Sequence, residues 1–293
     1  MLVTLSGKET GLIGYWPFDD SNGDLAIEKV HRRNAFVNAP WKITPSGFAA
    51  TFESSSNSLL DMEFNDVAFG TEEDFTIEFW FKSNQGANTC FLSNGHGDES
   101  DQVLYYYSME DLAMTANVLP LEDNVESQLG DMVNDLYSSE EDFLDAIGQR
   151  IGHNKADQYR EQLLRFGKHM PTYWSLNTDG SGNIQVNNNG KRIKTESETD
   201  FFDNRWHHFA LVVERVGNTR IYIDGELQIS EPSTEWNGFG AARLFIGARG
   251  LFNQSIAGYD FDQYYDGNLD ELRIWNTALK NTHIERNSTM RLD

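Results

Sequence analysis

The run Arg205–Glu214 (R-W-H-H-F-A-L-V-V-E) narrows the possible folds more than any other stretch, because apolar side chains occupy both of its faces. A strand of that kind is covered on two sides. It leads to Arg220–Gln228 (R-I-Y-I-D-G-E-L-Q), where Asp224-Gly225 can take the positive φ angles of a tight hairpin turn. A doubly covered strand feeding a hairpin belongs in the middle of a β-sandwich. Neighbouring runs agree: Phe75, Ile77, Phe79 and Phe81 alternate with Thr76, Glu78, Trp80 and Lys82. Phe48, Ala50 and Phe52 alternate with Ala49 and Thr51. Gly11–Asp20, Asn34–Asn38, Phe91–Ser93, Tyr173–Leu176, Ile184–Val186, Arg243–Gly247 and Tyr265–Asn276 read as further strands, and Asn281–Met290 as a short closing helix.

The two-residue period fails between about Glu99 and Met170 and is replaced by a period near 3.6, in a segment with 15 acids against five bases. Ser138 and Glu141 form a capping box ahead of Phe143, Leu144, Ile147 and Ile151. Asn154 is placed to cap a further helix carrying Tyr159, Leu163, Leu164 and Phe166, which Pro171 stops. A weaker helix is expected over Asp123–Tyr137, with Val125, Leu129, Met132, Val133 and Leu136 on one stripe.

The totals bound the function. Apolar residues make up 39% of the 293, enough for a packed core. A formal charge of −23 opposes binding to nucleic acid or an anionic membrane, which needs a basic footprint. The lone Cys90 excludes an internal disulfide. No apolar run reaches the roughly 18 residues of a membrane span, so no membrane insertion is expected, and the first residues show no cleavable signal.

Several motifs carry a family resemblance. W-H-H-x-A followed by I-Y-I-D-G-E-L, the opening G-L-I-G-Y-W-P-F-D-D and the closing D-G-N-L-D-E-L-R-I-W-N are similar to laminin-G-like, concanavalin A-type domains. The resemblance covers roughly residues 5–98 and 172–292. It implies a mainly β fold, an antiparallel jelly-roll β-sandwich at 1–98 and 172–293, with an inserted α-helical subdomain at 99–171 in one hairpin connection. The segment L-S-G-K-E-T-G-L is similar to the linker between tandem copies, which implies one repeat of a larger surface protein, with neighbouring repeats as partners and an extracellular or cell-surface location.

The resemblance also implies a structural Ca²⁺ held by Asp19, Asn34 and Asp270, in keeping with the oxygen-rich turn Asp19–Asp24. The loop Glu28–Arg33 departs from the family's small polar loop, and its lysine and two arginines are able to replace a metal with ion pairs. Asp98, Glu99 and Asp101 read as a charged loop. His207 and His208 are strand neighbours on opposite faces and cannot share a metal. No strand carries the E-x-D-x-x-E acids of related glucanases, G-x-S-x-G and H-E-x-x-H are missing, and Cys90 reads as a small core residue. A catalytic role is therefore not expected.

Sugar rings stack on flat aromatic faces with polar groups beside them, which singles out Trp236, Tyr259, Tyr264 and Tyr265 in loops as ligand-binding candidates. Tyr105–Tyr107 form a further aromatic run. The implied function is non-catalytic recognition of a glycan or cell-surface protein by an adhesin-like or toxin-like module. Alternatives are a protein-interaction module acting through the helical stripes and a structural spacer repeat, with a glycoside-active enzyme behind them.

Overall fold

A computed structural model describes residues 10–20, 23–31, 34–44, 47–62, 73–94, 104–105, 107, 109–119, 128–133, 135, 137, 139–169, 174–188, 191–196, 199–233, 244–253 and 258–289. The chain opens with β1 Leu12–Trp16, β2 Leu25–Ala26, β3 Ala35–Asn38, β4 Trp41–Thr44, β5 Gly47–Phe52, β6 Leu59–Met62, β7 Phe75–Lys82 and β8 Cys90–Ser93. Next come β9 Leu104–Tyr105, α1 Met109–Val118, α2 Glu140–Ile151, α3 His153–Gln158, α4 Arg160–Gly167 and β10 Lys168–His169. β structure then resumes with β11 Trp174–Thr178, β12 Ile184–Asn188, β13 Lys191–Lys194, β14 His207–Val213, β15 Asn218–Ile223 and β16 Glu226–Pro232. β17 Leu244–Ile246, β18 Arg249–Asn253, β19 Gly258–Asp262, β20 Gly267–Trp275 and α5 Asn281–Thr289 complete it.

The strands make two antiparallel sheets, one ordered β16-β15-β14-β7-β20-β5-β4 with β1 also on β20, the other β13-β12-β11-β8-β17-β6-β3-β2. Alternation decides which residues meet between them. Phe75, Ile77, Phe79, Phe81, Phe209, Leu211 and Val213 from the first sheet share one core with Leu92, Trp174, Leu176, Ile184, Val186 and Ile193 from the second. Phe79 is the hub, with ring centroids 5.1 Å from Phe209 and 5.5 Å from Phe91. Such ring pairs add about 0.5–1.5 kcal/mol each beyond burial of area. The β15–β16 hairpin turns through Asp224 (φ 52°) and Gly225 (φ 82°), the geometry that D-G supplies at low strain. At the edge, β16 carries Glu226, Glu231 and Pro232, which discourage pairing with another chain. On the outer face of the first sheet, Ala210, Val212, Tyr222 and Trp275 are covered by Leu279 and by Ile284 of α5.

The chain divides into two compact units, residues 1–99 with 172–293, and residues 100–171. Among the described residues, Asn94 is the last of the sandwich before the second unit and Trp174 the first after it, and the two are hydrogen-bonded: Asn94 N donates to Trp174 O (3.2 Å) and Trp174 N to Asn94 Oδ1 (3.1 Å). The unit in between has its own core of Tyr105, Tyr107, Leu112, Leu129, Met132, Phe143, Leu144, Ile147, Ile151 and Leu163. Its helical stripes are therefore spent internally.

Three local expectations change. The cap of α2 is Ser139, whose Oγ accepts Asp142 N at 3.1 Å, one residue later than the S-x-x-E pattern suggested. Asn154 caps nothing, since the next helix begins at His153 behind Gly152 and is interrupted at Tyr159. In the expected helix 123–137, residues 123–127, 134 and 136 lie outside the described ones. Of the remainder, Gln128 and Leu129 are helical and run into a 3₁₀ turn, Gly130–Met132, and bridges then join Val133 to Tyr107 and Tyr137 to Tyr105.

Candidate functional site

The outer face of the second sheet has a composition that burial alone would not select. Strand alternation sends Trp174, Leu176, Ile184, Val186 and Ile193 into the core and leaves Ser175, Asn177, Gln185, Asn187, Arg192 and Lys194 on the other side. Register then aligns them: Ser175 faces Asn187, Asn177 faces Gln185, Asn187 faces Arg192 and Gln185 faces Lys194. Asn177, Gln185 and Asn187 are 4–6% exposed, so this is a polar floor rather than a solvated surface. Buried polar groups need partners. Arg192 Nε donates to Asn187 Oδ1 (2.8 Å), Asn187 Nδ2 to Asn177 Oδ1 (2.8 Å), and Asn177 Nδ2 to Gln263 Oε1 (3.0 Å). Gln185 breaks the rule: its Oε1 is buried with no hydrogen-bond partner.

The floor continues across β8 and β17. Ser93 Oγ donates to Ala248 O (3.1 Å) and accepts Gly250 N (2.9 Å). Phe245 of β17 lies opposite Ser93, and the rings of Tyr259 and Phe261 meet its edge at 4.8 and 4.9 Å. Those two rings belong to the β18–β19 hairpin, where sequence reading expected a loop from Gly250 to Gly267. Arg249 Nε on Asp262 Oδ1 (2.7 Å) ties the two hairpin strands together. Tyr264 follows, half-buried, its hydroxyl pKa raised by burial and then by Asp262.

Residues 153–285 match the family model described as the concanavalin A-like lectin/glucanases superfamily. The sandwich is a concanavalin A-like jelly roll. Domain 4 of an extracellular arabinanase from Geobacillus stearothermophilus, solved in complex with arabinotriose, aligns with a TM-score of 0.54 at 13% identity, over 96% of this chain and all of its own. The binding domain of Paraclostridial Mosquitocidal Protein 1 aligns at 0.53 with 14% identity, over 95% of this chain and 52% of its own. The botulinum neurotoxin serotype G binding domain gives 0.50 and 12%, over 95% and 50%. The chain thus spans about half the length of those two binding domains. No curated protein sequence matches it.

Within this concanavalin A-like frame the expected ligand aromatics separate. Tyr259 packs on Phe245, which lies opposite Ser93, and Tyr264 is half-buried next to Gln263 in the chain. Tyr265 is a core residue, fully buried between Phe91 (5.1 Å) and Phe52 (5.9 Å), its hydroxyl donating to Lys82 O (3.1 Å) and Asn268 O (3.2 Å). Trp236, Tyr106, Asp98, Glu99 and Asp101 lie outside the described residues. Tyr105 and Tyr107 belong to the core of the helical unit, and Cys90 is buried in the sandwich with its thiol pKa pushed up by burial.

Each residue expected to hold Ca²⁺ accepts a backbone amide at one oxygen. Asp19 Oδ1 accepts Phe48 N (3.1 Å), Asn34 Oδ1 accepts Glu28 N (3.4 Å) and Asp270 Oδ1 accepts Glu271 N (3.1 Å). Glu28 organises the loop between β2 and β3, taking the N–H groups of Tyr15 (3.0 Å) and Val30 (2.6 Å). Among the described residues no group of three His, Cys, Asp or Glu side chains is arranged to hold a metal.

Two further features lie elsewhere on the sandwich. A cavity of about 370 Å³ opens at one end of the sandwich, lined by Asn84, Gly86, Gly180, Ser181, Phe201 and Phe202 among others. Under α5, Glu78 accepts Trp275 Nε1 (3.2 Å) and Asn287 Nδ2 (2.9 Å) and lies 3.4 Å from both Arg273 and His208 nitrogens. Burial raises the Glu78 pKa, but the His208 contact and the Arg273 charge outweigh that and hold it at about 2. Glu271, bonded to Arg273 and to the Tyr15 hydroxyl (3.0 Å), is instead pushed up to about 7 by burial. Both acids are about 1% exposed or less, closed off from any sugar.

Proposed function

We propose that the sandwich is a non-catalytic carbohydrate-binding module of an extracellular or cell-surface protein, and that its ligand lies on the outer face of the second sheet. The observation that carries this reading is the floor itself. Carboxamides and hydroxyls match the paired donors and acceptors of a sugar, and the aromatic hairpin beside them suits stacking. The fold supports the same class, since its structural neighbours include an arabinanase domain solved with arabinotriose. The buried acids Glu78 and Glu271 are locked against Arg273, an arrangement that serves structure rather than hydrolysis.

The test is a glycan array followed by calorimetric titration with neutral trisaccharides built from arabinose, xylose, glucose and galactose. The module should retain at least one of them, and Asn177→Ala with Asn187→Ala should weaken that binding about tenfold or more while leaving the melting temperature within a few degrees. Absence of retention on the array overturns the reading. A protein that hydrolyses the retained sugar overturns its non-catalytic part.

A further inference from the structure

The bonds across the floor all run in one direction, and one cation sets that direction. A guanidinium has donors only, so Asn187 must turn its Oδ1 toward Arg192. The Asn187 Nδ2 is then directed to Ser175 Oγ (3.3 Å) and Asn177 Oδ1 (2.8 Å). Asn177 has its Nδ2 left over, and this donates to Gln263 Oε1 at 3.0 Å. The relay passes from β13 through β12 and β11 to the residue after β19. It ends on the Gln263 amide nitrogen, which makes no hydrogen bond among the described residues. Gln185, two residues before Asn187 on the same strand and opposite Asn177, is 5% exposed with its Oε1 unpartnered. An unsatisfied buried carbonyl is costly, so a site that keeps one has a use for it.

We propose that Arg192 is the positioning residue of the glycan site, fixing three carboxamides so that Gln263 Nε2 presents a donor and Gln185 Oε1 an acceptor to the ligand. This deepens the carbohydrate reading and rests on it. The ligand class that answers the pattern is a neutral sugar offering a ring or bridging oxygen to Gln263 and a hydroxyl or acetamido N–H to Gln185. An ammonium group meets a donor at Gln263 and is disfavoured there. Chains of hydrogen bonds polarise one another, so a change at Arg192 is felt at Gln263 without contact between them.

The experiment uses the full chain and the tightest of the four trisaccharides, with arabinotriose as the reference. Arg192→Met should weaken binding about three- to tenfold, and Arg192→Lys, which restores a donor, should recover most of it. Gln263→Glu, which keeps the acceptor for Asn177 and removes the outward donor, should weaken it by a similar factor. In side-chain amide NMR spectra, Arg192→Met should shift the NH₂ signals of Asn187, Asn177 and Gln263 together. If the wild type binds sugar and Arg192→Met binds it equally well, or if only the Asn187 signal moves, the positioning role is overturned while the glycan reading stands. If the wild type binds none of the sugars, the glycan reading falls and the ligand assignment with it.

Discussion

His207 shows how a single side chain responds to what surrounds it. Its Nδ1 lies 2.7 Å from Asp224 Oδ2 and its Nε2 3.2 Å from Asp203 Oδ1, with the ring between Phe81 (5.7 Å) and Phe201 (5.6 Å). The bond to Asp224 raises its pKa, burial opposes the rise, and Asp203 adds to it. A histidine raised on folding stabilises fully below its unfolded value near 6.5, and that contribution is lost as pH climbs through the folded value. The melting temperature of the wild type should therefore exceed that of His207→Gln by most near pH 6 and by progressively less toward pH 8.5. A gap that is constant or widens with pH would contradict this. At Asp19, Asn34 and Asp270, addition of Ca²⁺ or chelator should leave the melting temperature unchanged within a degree, because their oxygens hold backbone amides. The alternation of Ser175 and of Gln185 with core residues was readable in the sequence, but their strands were expected to end at Leu176 and Val186, short of Asn177 and Asn187. The assembly of these polar residues into one row was not readable, since cross-strand register depends on turns that local pattern does not specify. Tyr265 misled for a related reason: it follows no period, and its burial between Phe91 and Phe52 emerges only from the folded sheets.

Secondary-structure elements were legible where periodicity was long and obscure where it was short. β7, β14 and β15 stand where alternation and D-G placed them. The β18–β19 hairpin escaped because its strands alternate weakly, and it is held by Phe245 packing and the Arg249–Asp262 pair. At the start of α2 two adjacent serines competed, and geometry selects Ser139: its ψ of 151° is extended, and its Oγ reaches Asp142 N. Ser139→Ala should lower the stability of the helical unit by about 1 kcal/mol in a urea titration, and Ser138→Ala by much less. Equal losses would mean that the cap is shared.

For the whole molecule, the decisive fact is where the sandwich is interrupted. Asn94, just past β8, and Trp174 of β11 are bonded neighbours, so the 79 intervening positions can be absent without stretching either strand. Replacing residues 99–171 by a short glycine-containing link should leave a cooperatively unfolding β protein with near-unchanged β circular dichroism and intact sugar binding. Loss of cooperative unfolding would show that the helical unit is needed to complete the sandwich. The change from period two to period 3.6 announced this arrangement in the sequence, because helical stripes cannot continue a pleated strand.

The pairing of β1 with β20, which sets Leu12 against Trp275, also imposes a schedule on biosynthesis. Translation delivers the first of these strands about 260 residues before its neighbour, a delay on the order of tens of seconds. During that time Leu12, Gly14 and Trp16 have no ladder to join, whereas the helices, whose contacts are short-range, can settle at once. The molecule is thus finished from its middle outward, with its earliest-made strand among the last to find its place.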